Sequence, residues 1–167
     1  MDEALTEILR NLVSGRRIAA LGTVDKGEPY VSMVPFVLHG AGPDFLIHVS
    51  ALAAHTRQML ANPQVSLMVT AAENALDENG AAIEPQALPR VTAQGSAARI
   101  DPESGAYAAA KAAYLARFPQ AALMFQLADF SLIAISPRTL RFVAGFGKAH
   151  SLRPEAWTRA MAAGRAK

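Results

Sequence analysis

Leu5, Ile8, Leu9 and Leu12 recur at spacings of three and four, between Glu3, Glu7, Arg10 and Asn11. That is one apolar stripe on a helix, and Ser14-Gly15 is its expected stop. The period then shortens. Residues 18–24 form a short apolar run closed by Asp25-Lys26-Gly27-Glu28-Pro29, a turn composition. Residues 30–38 form a second run with Pro35 inside it. Proline cannot donate to a sheet ladder, so it marks an edge or a bulge. After Gly40-Ala41-Gly42-Pro43, residues 45–49 make a third strand, and the short turns predict an antiparallel meander. Residues 50–61 return to helical character, with Leu52, Met59 and Leu60 as apolar anchors, Ser50 as the expected N-cap and Asn62-Pro63 as the stop.

Val65, Leu67 and Val69 then alternate with Gln64, Ser66 and Met68, a fourth strand. Residues 71–89 are a polar connection containing Ala, Pro and Gly, and 90–100 a fifth strand in which Gly95 suggests a bulge. Asp101-Pro102-Glu103 predicts a helix start, Tyr107, Ala110 and Tyr114 give the stripe, and Phe118-Pro119 the end. Residues 130–135 and 138–142 read as two further strands split by Ser136-Pro137, and 154–163 as a closing helix. The pattern is a mainly β, antiparallel barrel with flanking helices, without strand–helix–strand alternation.

A length of 167 residues suits a single barrel domain, expected over 1–150, with a helical tail over 151–167. Hydrophobic residues make up 51% and charged residues 18%, which excludes a disordered chain. No apolar run approaches the ~18 residues of a membrane span, and the acidic start Met1-Asp2-Glu3 is not that of a signal peptide. A cytoplasmic protein without membrane contact is expected. The net charge is only +2 and no dense basic stripe is present, so no nucleic-acid partner is expected. With no cysteine, disulfides and thiolate chemistry are excluded, and any redox chemistry must come from a bound cofactor. His39, His48, His55 and His150 are spaced too irregularly for a simple metal motif. Gly145-Phe146-Gly147-Lys148 lacks the spacing of a phosphate-binding glycine loop, and its plain reading is a bulge or close backbone approach at a strand end. No acid/base carboxylate pair stands out. Asp101 and Glu103 read as helix-start residues, while Glu73, Asp77, Glu78 and Glu84 fall in the polar connection, so the catalytic residues stay unknown.

The motifs that carry a resemblance come in a fixed order. They are residues 27–36 with Pro29-Tyr30-Val31-Ser32-Met33-Val34-Pro35, then Phe45-Leu46-Ile47-His48-Val49-Ser50, then 51–67 with His55-Thr56-Arg57 and Asn62-Pro63. Pro89-Arg90-Val91-Thr92-Ala93-Gln94-Gly95, Asp129-Phe130-Ser131-Leu132 and residues 141–149 follow. Together they resemble the pyridoxamine 5′-phosphate oxidase-like FMN-binding split barrels, nearest to the branch of HugZ-type haem-degrading oxygenases. The resemblance implies a six-stranded split barrel that forms a homodimer, with two cofactor sites built across the interface. It implies FMN as cofactor. The phosphate would lie on Ser50, His55, Thr56 and Arg57, and Val31, Ser32, Met33 and Val34 would run along the flavin ring. Arg90 would reach in from the second chain, with Phe146 and Lys148 near the pocket. A helix start with free N–H groups suits a phosphate. Several of the family's phosphate-contacting cations are replaced: a lysine falls on His55, an arginine on Ala54, an arginine on Ser32 and a lysine on Val37. The family's C-terminal Trp and Arg substrate segment has no match. The expected function is a flavin-dependent oxidoreductase acting on a small substrate. The alternatives are a haem-binding or haem-degrading protein, with His150 as a metal ligand only in that case, and a cofactor-free dimeric regulatory domain.

Overall fold

The computed structural model describes residues 1–77 and 79–162. Glu78, and the stretch 163–167 that holds the expected end of the last helix at Ala163, lie outside the described residues. Helix α1 spans Glu3–Gly15, with Asp2 as N-cap accepting from the Leu5 N–H at 2.8 Å, and it ends at the expected Ser14-Gly15. Strands β1 (Ile18–Asp25), β2 (Glu28–Pro35), β3 (Val37–His39) and β4 (Asp44–Ser50) follow, then α2 (Ala54–Ala61) and β5 (Gln64–Thr70). A short 3₁₀ turn, Pro85–Ala87, precedes β6 (Arg90–Arg99). The rest is α3 (Gly105–Arg117), a 3₁₀ segment (Pro119–Gln126), β7 (Phe130–Val143), β8 (Ala149–Leu152) and α4 (Pro154–Ala162).

All pairings are antiparallel, in the order β2-β1-β5-β6-β7-β4-β3, with β8 on β7. The two ends of that order, β2 and β3, are consecutive in the chain and separated only by Phe36, so the sheet curls round onto itself. Phe36 turns inward, fully buried, and its N–H bonds the Arg17 carbonyl at 3.1 Å.

The sheet has eight strands, which corrects the expected six. Phe36 divides the run 30–38 into β2 and β3. Beyond the turn at 145–148, β8 adds a strand carrying too few apolar residues to show in the pattern. In the opposite direction, β7 runs unbroken through Ser136-Pro137 and joins two runs that the sequence separates. A register shift between Gln94 and Gly95 absorbs the proline, which sits opposite Gly95.

Two helix starts also fall later than expected. Ser50 ends β4 and caps nothing: its hydroxyl donates to Asp129 Oδ2 at 2.5 Å and accepts from the Leu52 N–H. Helix α2 begins at Ala54 without a side-chain cap. Asp101 closes a turn by accepting from the Glu103 N–H, and α3 begins at Gly105.

Alternation fills the barrel. Leu21, Ile47, Leu67, Val91, Ile133 and Phe142 point inward and are all buried. Leu9, Leu12 and Val13 of α1 join the same cluster, as do Trp157, Ala160 and Met161 of α4. Each such side chain is worth about 1.5–3 kcal/mol of burial. A second cluster, with Leu46, Tyr114, Phe118 and Leu132, lies beneath α3 and the 3₁₀ segment on the outer side of β4 and the first half of β7.

Candidate functional site

The remaining outer face is uncovered among the described residues. Sheet register draws two rows across it. One runs Val31–Gly22–Ser66–Gln94–Thr139 and the other Met33–Ala20–Met68–Thr92–Arg141–Ser151. None of these residues is buried, while the alternating Leu21, Leu67, Ala93 and Leu140 are. Period-two geometry fixes this division. Val31 and Met33 are 69% and 60% exposed, an unusual position for large apolar side chains. Gly22, Ala20 and Ser66 keep the middle of the face low. Two depressions lie along it, of about 500 Å³ beside Val31 and Ser66 and about 650 Å³ beside Thr92 and Arg141. Cations line the β7 side: Arg138 bonds Gln64 Oε1, and Arg141 donates to Ser151 Oγ at 2.9 Å.

Of the four residues expected along a flavin ring, Val31 and Met33 lie on this face. Ser32 and Val34 alternate to the other side. Val34 belongs to the core, and the Ser32 hydroxyl is shielded from solvent with no partner.

Arg90, Phe146 and Lys148 come together around a cavity of about 580 Å³. Gly145-Phe146-Gly147 forms the turn between β7 and β8, and the positive φ of Gly147, 73°, is the backbone feature that needs glycine there. The turn holds Phe146 out in solvent. Arg90 Nη1 donates to the Gln86 and Leu88 carbonyls, so one nitrogen of its fork is occupied by the chain itself.

Ser50, His55, Thr56 and Arg57 gather where β4 runs into α2, but their donors are largely turned to the protein. Ser50 is held by Asp129, and Arg57 Nη1 bonds the Leu52 carbonyl at 2.6 Å. Burial lowers the His55 pKa, favouring the neutral ring. Thr56 is buried, its hydroxyl without a partner. This group and the Arg90 group are not brought together within one chain. Arg90 pairs Thr70, level with the Ile18 end of β1, whereas α2 bonds β1 towards its other end through Gln58 and Thr23. His150 lies in β8 on the side of Phe142 and Leu152, its ring 6.4 Å from that of Phe142.

One feature escaped the sequence. His48 stacks on Phe125 with centroids 3.8 Å apart, and Tyr114 and Phe130 complete the enclosure. Its partners lie in segments far along the chain, so nothing near His48 signals them. Desolvation, helped by the Lys111 charge, lowers its pKa to about 4, and desolvation raises that of Tyr114 to about 12. The folded-state value of His48 lies below the free value of 6.5, so on acidification the unfolded chain takes up the proton first. The contribution is therefore whole above about pH 6.5 and is lost as pH falls towards 4. Urea midpoints measured across that range are expected to fall more steeply for the wild type than for His48→Phe. Equal slopes would remove His48 from the effect.

With the barrel and its open face described, the class is defined: the chain belongs to the pyridoxamine 5′-phosphate oxidase family, whose model matches residues 5–144. Within it, the chain is 34% identical over 146 residues to the non-canonical heme oxygenase HOZ, chloroplastic, of Arabidopsis thaliana, covering 86% of this chain and 41% of that protein. It is 32% identical over 139 residues to the heme oxygenase HutZ of Vibrio cholerae, covering 82% of this chain and 74% of that one. The chain thus spans about two-fifths of the first relative's length and about three-quarters of the second's. The fold matches a heme binding protein from Mycobacterium smegmatis at a TM-score of 0.80 and 28% identity, covering 95% of this chain and 62% of that one.

These relatives overturn the expectation of an FMN-dependent oxidoreductase and of FMN as the main cofactor, because they are named for heme. The structure supplies the physical reason. The four positions at which the resemblance implies cations hold Ser32, Val37, Ala54 and His55, and among the expected phosphate donors Ser50 is bonded to Asp129, Arg57 Nη1 to the Leu52 carbonyl, and the unpartnered Thr56 hydroxyl is buried. No helix among the described residues is long and apolar enough to cross a membrane.

Proposed function

We propose that the protein binds haem on its uncovered sheet face and acts, as a homodimer, as a haem-binding protein of haem oxygenase type. The observation that carries this reading is the face itself. A flat apolar macrocycle with two carboxylates needs a low, broad floor and cations at one side. Val31 and Met33 offer apolar contact, Gly22, Ala20 and Ser66 the floor, and Arg138 and Arg141 the charge for propionates. Bound haem would supply the iron at which oxygen chemistry takes place. A second copy would cover the exposed Val31 and Met33, and its Arg90, Phe146 and Lys148 would join the shared site. The relatives named for heme support the ligand.

A haemin titration is expected to give a saturable Soret band. Replacing Arg138 and Arg141 together by glutamine is expected to weaken binding at least tenfold, since even one charge-assisted bond is worth about 1.5–3 kcal/mol and about 1.4 kcal/mol is a factor of ten. With an external reductant in air, the Soret band of the bound haem is expected to bleach. A spectrum that stays that of free haemin, with no saturation, would sink the reading and leave a cofactor-free dimer. The ferric spectrum of His150→Ala tests that residue as axial ligand, and an unchanged spectrum removes it from the role.

A further inference from the structure

A third arginine, Arg153, lines the depression of about 650 Å³ beside Thr92 and Arg141. Strand pairing gathers its polar wall: Thr92, Arg141 and Ser151 are neighbours across β6, β7 and β8. Arg153 follows just past the end of β8, where the chain enters α4. Its backbone is anchored there, because its carbonyl accepts from the Ala156 and Trp157 N–H groups at 3.0 Å, and Trp157 is buried. Its side chain is exposed and makes no hydrogen bond or ion pair among the described residues.

The rest of the wall also keeps donors free. Arg141 spends Nη1 on Ser151 Oγ at 2.9 Å, which steadies the fork and leaves its other N–H groups open. The Thr139 hydroxyl donates to Gln94 Oε1 at 3.2 Å, so the Gln94 amide keeps both its N–H donors. Gln94 and Thr139 also line the depression of about 500 Å³ that holds Arg138, so this bonded pair stands between the two hollows. The cations are thereby split, with Arg138 on one side and Arg141 and Arg153 on the other. No carboxylate lines the larger hollow, and two guanidiniums at one wall repel each other until an anion enters. A single carboxylate suits that wall, since its two oxygens offer about four acceptor sites and can take bonds from both forks.

We propose that Arg153, together with Arg141, anchors one haem propionate in this depression, a placement that rests on haem being the ligand. The two propionates leave haem from one edge, so the second falls across the Gln94–Thr139 pair, on the side of Arg138.

Soret titrations with haemin and with haemin dimethyl ester separate contacts to the carboxylates from contacts to the ring. Arg153→Gln is expected to weaken haemin binding at least tenfold, the loss of one charge-assisted bond, and to leave diester binding unchanged. Its melting temperature without ligand is expected to hold, because the guanidinium bonds nothing in the free protein. Arg159→Gln removes the same charge from α4 outside this depression, and is expected to bind both ligands as the parent does. The proposal is overturned, with haem binding intact, if Arg153→Gln binds haemin as the parent does. It is overturned equally if Arg159→Gln loses as much, which would mean net charge, or if the diester loses as much, which would mean a general disturbance of the face. A parent without saturable haemin binding removes the haem reading itself and this placement with it.

Discussion

Gly95→Ala is expected to cost at least about 4 kcal/mol, in the range reserved for severe core or backbone lesions. A Cβ on Gly95 would lie 2.3 Å from the Ser136 carbonyl oxygen, 2.9 Å from its carbon and 3.2 Å from Pro137 Cα. All three atoms are backbone, so no side chain can rotate aside. They belong to β7, which pairs β6 along its length, β4 by its first half and β8 by its last residues. Pushing β7 away from Gly95 therefore loosens three ladders at once. Against a typical total stability of about 5–15 kcal/mol, the loss removes roughly a quarter to four-fifths of it. Gly22→Ala is the control, because its Cβ would meet Ser66 at 3.5 Å, an ordinary contact. Urea midpoints of the two variants decide the matter. A Gly95→Ala midpoint as close to the parent as that of Gly22→Ala would show the bulge to be adaptable.

Trp157→Ala is expected to cost about 3–5 kcal/mol. Trp157 is 1% exposed, stacks on Phe45 at 5.5 Å, and donates its indole N–H to the Pro43 carbonyl at 2.8 Å. Phe45 in turn touches Phe36, also at 5.5 Å. Truncation thus opens a cavity beneath the residue on which the sheet turns back, and leaves a carbonyl without its partner. Residues 151–162 are expected to melt with the barrel in one transition, and Trp157→Phe to recover most of the loss apart from the hydrogen bond. Denaturation followed by far-ultraviolet circular dichroism gives both values. A loss under about 1 kcal/mol would mean that α4 contributes little to the core.

The sequence shows what is local. Helix α1 is legible because its stripe and its stop lie within its own 13 residues. Strand β5 is legible because Val65, Leu67 and Val69 alternate against polar neighbours. What stays hidden depends on residues far along the chain. Ser50 looks like a helix cap until Asp129 takes its hydroxyl. Pro137 looks like a strand end until Gly95, on the neighbouring strand, makes room for it. His48 looks partnerless until Phe125 and Tyr114 fold over it. For the site, the order of motifs identifies the family, but one barrel serves flavin and haem relatives alike. The signal against flavin lay in Ser32 and Val37 standing at cation positions. The open face itself is a cross-strand property, visible only once the register brings Val31, Gly22, Ser66 and Gln94 into line.

Strand β2 ends the sheet order and carries proline at both ends, Pro29 and Pro35. Proline offers no N–H, so the free rim of the strand lacks a donor at each end. A foreign strand seeking to zip along it finds an interrupted template, the usual protection against edge-to-edge aggregation. The apolar side chains of the same strand are not protected in that way, because they point out of the sheet plane. Strand addition at this edge is thus disfavoured, while the outward face of the strand keeps its apolar side chains open to contact.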